Sequence, residues 1–77
     1  MIIKLNDFEK IKQFANKVCA FEPPVQISKV DSESVYNAKS ILSLFAMDLS
    51  SPLNVRIVTA DEKLIEVFNR EMEAFVD

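Results

Sequence analysis

Apolar residues recur every three or four positions in two long segments of the chain, which is the spacing typical of amphipathic helices. In residues 8–20 the predicted buried stripe is Phe8, Ile11, Phe14, Ala15 and Val18. In residues 61–75 it is Leu64, Ile65, Phe68, Met72 and Phe75. A third segment, residues 40–47, is apolar nearly all round and predicts a short helix.

The remaining apolar segments are short and rich in β-branched residues, which favours strands. Residues 53–59 alternate apolar and mostly polar side chains, so one face of this strand is expected to meet water. A polar turn at residues 31–34 predicts a hairpin between two of the strands. The predicted strands are residues 1–5, 25–30, 35–38 and 53–59.

Helix boundaries are predicted from side chains that satisfy free backbone groups. Asn6 with Glu9, and Thr59 with Glu62, resemble capping boxes at the starts of the two long helices. The first helix is expected to end before Pro23, because proline cannot donate a backbone hydrogen bond. Cys19, near that end, is expected to be a small buried side chain.

The element order is therefore β-α-β-β-α-β-α. We expect an α+β fold, namely an open-faced two-layer sandwich with an antiparallel four-stranded sheet and all helices on one face. With 77 residues, the chain is predicted to be a single domain spanning residues 1–77. A domain this short has little material for a deep catalytic cavity, so its surface is the expected working part.

Composition excludes several classes of function. The 9 basic and 12 acidic residues show no basic cluster, which argues against nucleic acid or an anionic membrane as a partner. The chain has no histidine and no glycine, so it has neither a histidine catalyst nor a glycine-rich phosphate loop. We predict no enzyme activity, no metal and no cofactor. One cysteine and no signal-peptide pattern favour a cytoplasmic protein.

The element order and residues 35–42 (VYNAKSIL) resemble the histidine-containing phosphocarrier protein HPr of the bacterial sugar phosphotransferase system. In that family a strand runs into an Asn-x-Lys-Ser-Ile/Leu segment that opens a short second helix. The resemblance covers nearly the whole chain and is weakest at its N-terminus. It implies the HPr-like arrangement of the predicted sandwich.

The sequence departs from HPr where that family carries phosphate on a histidine, in a Gly-x-His-x-Arg-Pro segment. If Gln13 and Phe14 set the register, Asp7 stands at the histidine position, Glu9 at the arginine and Lys10 at the proline. Asp7 is then a degenerate phosphoacceptor position, and capping the helix is its expected role. We expect an HPr-like paralogue that cannot relay phosphate.

Some members of the family, with Crh as the example, lack the histidine and keep a regulatory serine. The resemblance makes Ser40 the candidate phosphorylation site. It implies an HPr serine kinase and a transcriptional regulator as candidate partners, with Ile41, Leu42 and Phe45 as the docking patch. Lys39 is a further predicted partner-binding residue, and it is also the side chain expected to steady the phosphate.

The residues also allow simpler interpretations. Ser40 is a suitable helix N-cap without any modification, and the apolar residues after it can belong to the core. Yet a short helix in a two-layer domain cannot bury every face, so some of these side chains are expected to be exposed. The alternative function is a structural or oligomerising module on the same fold, never phosphorylated, and the chain is either a monomer or a homodimer.

Overall fold

The computed structural model describes residues 1–76. Within them the chain forms an antiparallel sheet of four strands, three α-helices and a closing 3₁₀ turn. This confirms the predicted α+β class and the order of the elements. The elements are β1 (Ile2–Ile3), α1 (Phe8–Cys19), β2 (Val25–Lys29), β3 (Tyr36–Asn37), α2 (Ile41–Ala46), β4 (Leu53–Ile57), α3 (Glu62–Met72) and the turn Glu73–Phe75.

The strands lie in the order β1-β4-β2-β3, so β4 is inserted between β1 and β2. β2 and β4 form the long central pair, in which Ile27 lies opposite Val55. The two edge strands are shorter than the sequence pattern predicted. Val30 and Val35, expected in the hairpin strands, lie in the exposed connection between β2 and β3.

One face of the sheet is covered and the other is open. Along β4, Leu53, Val55 and Ile57 are buried, while Asn54 and Arg56 between them are exposed. The buried side chains of the three helices belong to the same core as these strand residues. All helices therefore pack on one face of the sheet, as the alternation in residues 53–59 predicted.

The capping boxes predicted at Asn6 and Thr59 are wrong by one and two residues, whereas the expected capping role of Asp7 is confirmed. α1 is capped by Asp7, whose Oδ1 accepts the Lys10 backbone N–H at 2.8 Å. α3 is capped by Asp61, whose Oδ1 accepts the N–H groups of Lys63 at 3.0 Å and Leu64 at 3.3 Å. Each carboxylate follows the predicted cap along the chain and satisfies the free N–H groups of the first turn.

The prediction that Cys19 is buried is also wrong. A helical residue is turned about 100° from its neighbour, and Val18 occupies the position that faces the core. Cys19 is therefore exposed as a free thiol. No helix within residues 1–76 is long and apolar enough to cross a membrane.

Candidate functional site

The short helix α2 is attached to the core along one side. Ser40 is its N-cap, and the Ser40 hydroxyl oxygen accepts the Ser43 backbone N–H at 3.3 Å. Of the residues described in α2, Leu44 alone is buried, and Met47 beyond its end is buried as well. Because the sequence of this helix is apolar on nearly every side, the sides that do not meet the core expose apolar side chains.

Three α2 side chains and one from α1 form an exposed apolar surface. Leu42 is 80% exposed, Phe45 is 53% exposed, and Ile41 is 46% exposed. Phe8, in the first turn of α1, stacks on Phe45 with ring centroids 6.4 Å apart and an interplanar angle of 22°. Phe8, Ile41, Leu42 and Phe45 are called the α2 surface below.

The position of Phe8 corrects the sequence-based expectation that it belongs to the core. It is 62% exposed, although its spacing continues the buried stripe of α1. A side chain in the first turn covers the region beyond the helix start, and there Phe8 meets Phe45 of α2. The sequence carried one signal for this, since Phe8 directly follows an acidic side chain that can cap the helix.

A polar fringe lies against the ring of Phe8. The Lys12 ammonium is 5.6 Å from the Phe8 ring centroid and 3.7 Å from Glu9 Oε2. Lysine held over an aromatic face makes a favourable cation–π contact. An apolar centre with charged side chains at its margin is the usual layout of a protein-docking surface.

Asp7 lies beside this surface, one residue before Phe8. Its carboxylate accepts the Lys10 backbone N–H, so Asp7 serves as a helix cap. The nearby charged side chains on the first turn, Glu9 and Lys12, pair with each other. The carboxylate at this helix start is therefore engaged as a cap, and its correspondence to the phosphoacceptor of HPr stays a prediction.

The ammonium of Lys39 makes contacts that the sequence-based prediction did not include. It donates hydrogen bonds to the main-chain carbonyls of Phe21 and Glu22, the latter at 3.1 Å. These carbonyls lie just after the end of α1, where the helix dipole favours a positive charge. Lys39 therefore fastens the segment before α2 to the end of α1, and steadying a phosphate on Ser40 would require giving up these bonds.

Among residues 1–76, two carboxylates have shifted pKa values. Hydrogen bonds from the Ser50 hydroxyl and backbone N–H lower the pKa of Asp48, which follows α2. A hydrogen bond from the Lys17 ammonium lowers the pKa of Glu71 on α3, with further help from the Lys17 charge. Both shifts favour the ionised carboxylate, which is the state of a surface acid and not of a proton donor.

Within residues 1–76, no group of three or more Cys, Asp or Glu side chains is arranged to hold a metal ion.

Comparison of the chain with protein-family models, with curated protein sequences and with solved structures finds no match. The resemblance to HPr therefore stays a prediction from residues 35–42 and the element order.

The site residues named from the sequence divide into two groups. Ser40, Ile41, Leu42 and Phe45 lie together, whereas the charged end of Lys39 is engaged at the end of α1.

Proposed function

We propose that this protein is a non-catalytic, HPr-like regulatory module of the phosphotransferase type. It docks on a protein partner through the α2 surface, and phosphorylation of Ser40 controls that docking. The observation that carries the proposal is the exposed Phe8–Phe45 stack with Leu42, next to Ser40. Exposed aromatic and aliphatic side chains grouped around a stack are costly to leave in water, and a partner surface removes that cost.

The absence of a phosphate relay is part of the proposal. The carboxylate of Asp7 accepts a backbone N–H of its own helix, and Glu9 adds a second negative charge in the same turn. Such a site repels an incoming phosphoryl group by charge. The proposed activity is therefore recognition of a partner protein, and the protein does not relay phosphate from one protein to another.

Control by Ser40 follows from electrostatics. A phosphoserine adds about −1.5 to −2 charges at neutral pH. At Ser40 this charge would stand one residue from Ile41 and two from Leu42, at the margin of the α2 surface. A partner with a basic group near its apolar contact then binds the phosphorylated form better, and a purely apolar partner binds it worse.

The first test is the intact mass of the full chain after incubation with an HPr serine kinase and ATP. We expect one added phosphate on the natural protein, none on Ser40→Ala, and one on the matched control Ser43→Ala. An ordinary HPr in the same tube shows that the kinase is active. A modified HPr beside an unmodified natural protein would refute the proposed control by Ser40.

A second measurement separates partner docking from the oligomerising alternative, which the same exposed surface also favours. Sedimentation velocity compares the natural chain with Phe45→Asp and with Val35→Asp, a matched change of an exposed apolar residue on the β2–β3 connection. A monomer throughout supports the docking module. A dimer that Phe45→Asp dissociates and Val35→Asp leaves intact supports the structural module.

A further inference from the structure

Helices α1 and α3 run antiparallel across the sheet and leave a groove between them. Their direction follows from two edge-to-face ring pairs: Phe14 packs on Phe75 at 5.6 Å, and Phe21 packs on Phe68 at 5.2 Å. The groove lies toward the end of α1 and has a volume of about 1020 Å³. None of its lining residues belongs to the α2 surface.

The groove is mostly apolar and open to water. Val67 of α3 is 42% exposed, and Ala20, just after the end of α1, is exposed as well. The apolar lining consists of Ala20, Phe21, Pro23, Leu64 and Val67.

The charged lining residues leave the groove with a negative balance. Lys17 donates to Glu71 Oε2 at 2.6 Å, so this pair is neutral as a unit. Glu22 also lines the groove, and among residues 1–76 its carboxylate has no ion-pair partner. Lys39 does not line the groove. Its ammonium donates hydrogen bonds to the main-chain carbonyls of Phe21 and Glu22.

The shape of the groove indicates the kind of ligand. A small-molecule site buries most of its ligand in a pocket of about 300–1,000 Å³, whereas this one is an open channel between two helices. Leu64, Val67 and Glu71 line it at spacings of three and four residues, which is a stripe about 10 Å long at ~1.5 Å per residue. Two turns of another helix match that length, and helix-in-groove recognition uses anchors at the same spacing.

We propose that the α1–α3 groove binds an amphipathic helix of a partner protein, with an apolar face for Val67 and Leu64 and a lysine or arginine beside it for Glu22. The site is separate from the α2 surface and does not depend on the function proposed there. The charged lining residues Lys17, Glu22 and Glu71 sum to one negative charge. The carboxylate of Glu22 forms no salt bridge among residues 1–76, even though the Lys39 ammonium lies at its main-chain carbonyl. A basic flank complements this lining and the net charge of −3 on the whole chain.

The test begins with selection from a displayed library of random peptides about 14 residues long, roughly four helical turns. The immobilised full chain is the target, and Val67→Gln is used to remove peptides that bind elsewhere. We expect the enriched peptides to share apolar residues at helical spacing and at least one lysine or arginine. Failure to enrich any peptide over the Val67→Gln background, or an acidic consensus, would overturn the proposal.

The consensus peptide is then measured by fluorescence anisotropy against three variants that all introduce glutamine. Val67→Gln should weaken binding about tenfold, and Glu22→Gln should weaken it several-fold at low salt and little at high salt. Leu42→Gln, on the α2 surface, should leave binding unchanged. Loss of binding in Leu42→Gln with full binding in Val67→Gln would also overturn the proposal. Circular dichroism verifies that each variant is folded. We expect all three to fold, because the substituted side chains are exposed.

Discussion

Two leucines in α2 provide a direct test of how this helix is attached. Leu44 is fully buried, whereas Leu42, two positions earlier, is 80% exposed. The proposed docking surface depends on this division, because Leu44 must hold the helix while Leu42 stays free for a partner. Leu44→Ala and Leu42→Ala make the same chemical change on the same helix, so each serves as the control for the other.

The expected losses of stability follow from burial. Leu to Ala removes three carbons, worth about 2.4 kcal/mol at ~0.8 kcal/mol per buried methylene. At Leu44 the cavity left behind raises the loss to about 3–5 kcal/mol. At Leu42, with about one fifth of the side chain covered, the loss is ~0.5 kcal/mol. A chain of 77 residues has a total stability of about 4–12 kcal/mol, so the loss at Leu44 is a large fraction of the total and the loss at Leu42 is a small one.

The assay is urea unfolding followed by far-ultraviolet circular dichroism, because the chain has no tryptophan. With a slope of about 1 kcal/mol per molar urea, Leu44→Ala should lower the midpoint by about 3–5 M and Leu42→Ala by about 0.5 M. Equal midpoints for the two variants would refute the assignment of buried and exposed faces to α2. A larger effect at Leu42 would reverse the orientation of the helix.

Three further predictions concern polar contacts. Asp61→Ala should cost about 1 kcal/mol in urea unfolding, because the carboxylate accepts two N–H groups at the start of α3; a greater loss in Thr59→Ala would instead make Thr59 the cap. Lys39→Met should cost about 1 kcal/mol in the same assay through its lost bonds to the end of α1, and an unchanged midpoint would contradict that role. Since the pKa of Glu71 is lowered in the folded state, its contact with Lys17 stabilises the protein above the ordinary value of 4.5 and is lost as the pH falls through the lowered pKa. The difference in melting temperature between the natural chain and Lys17→Met should therefore shrink on acidification below that value, and a constant difference would count against the contact.

The two long helices and the general class of the fold were predictable because their signals are local. Apolar residues at helical spacing make α1 and α3 amphipathic wherever they pack, and the alternation in residues 53–59 separates a buried from an exposed sheet face. Ser40 was predictable as a cap for the same reason. Its side chain bonds the backbone of Ser43, three residues away, and needs nothing from the rest of the chain.

The sequence predicted two competing caps for α1, Asn6 and Asp7, and it predicted the wrong cap for α3. Asn6 and Asp7, like Thr59 and Asp61, are all residues whose side chains accept a backbone N–H. Which of the two residues becomes the cap depends on where the preceding strand ends and the helix begins. β1 and β4 end earlier than their sequence pattern suggested, and the carboxylate nearer the first helical turn became the cap in both places.

The sequence by itself determined the order of the elements and most of the buried stripe on each long helix. It also determined that Ser40, Ile41, Leu42 and Phe45 share one short segment. Only the tertiary structure decided the strand order, the stack of Phe8 on Phe45, the reach of Lys39 to the end of α1 and the groove beside Val67. Periodicity reports which side of an element is apolar. It does not report which element, distant along the chain, lies against that side, because those contacts form between residues that no local pattern connects.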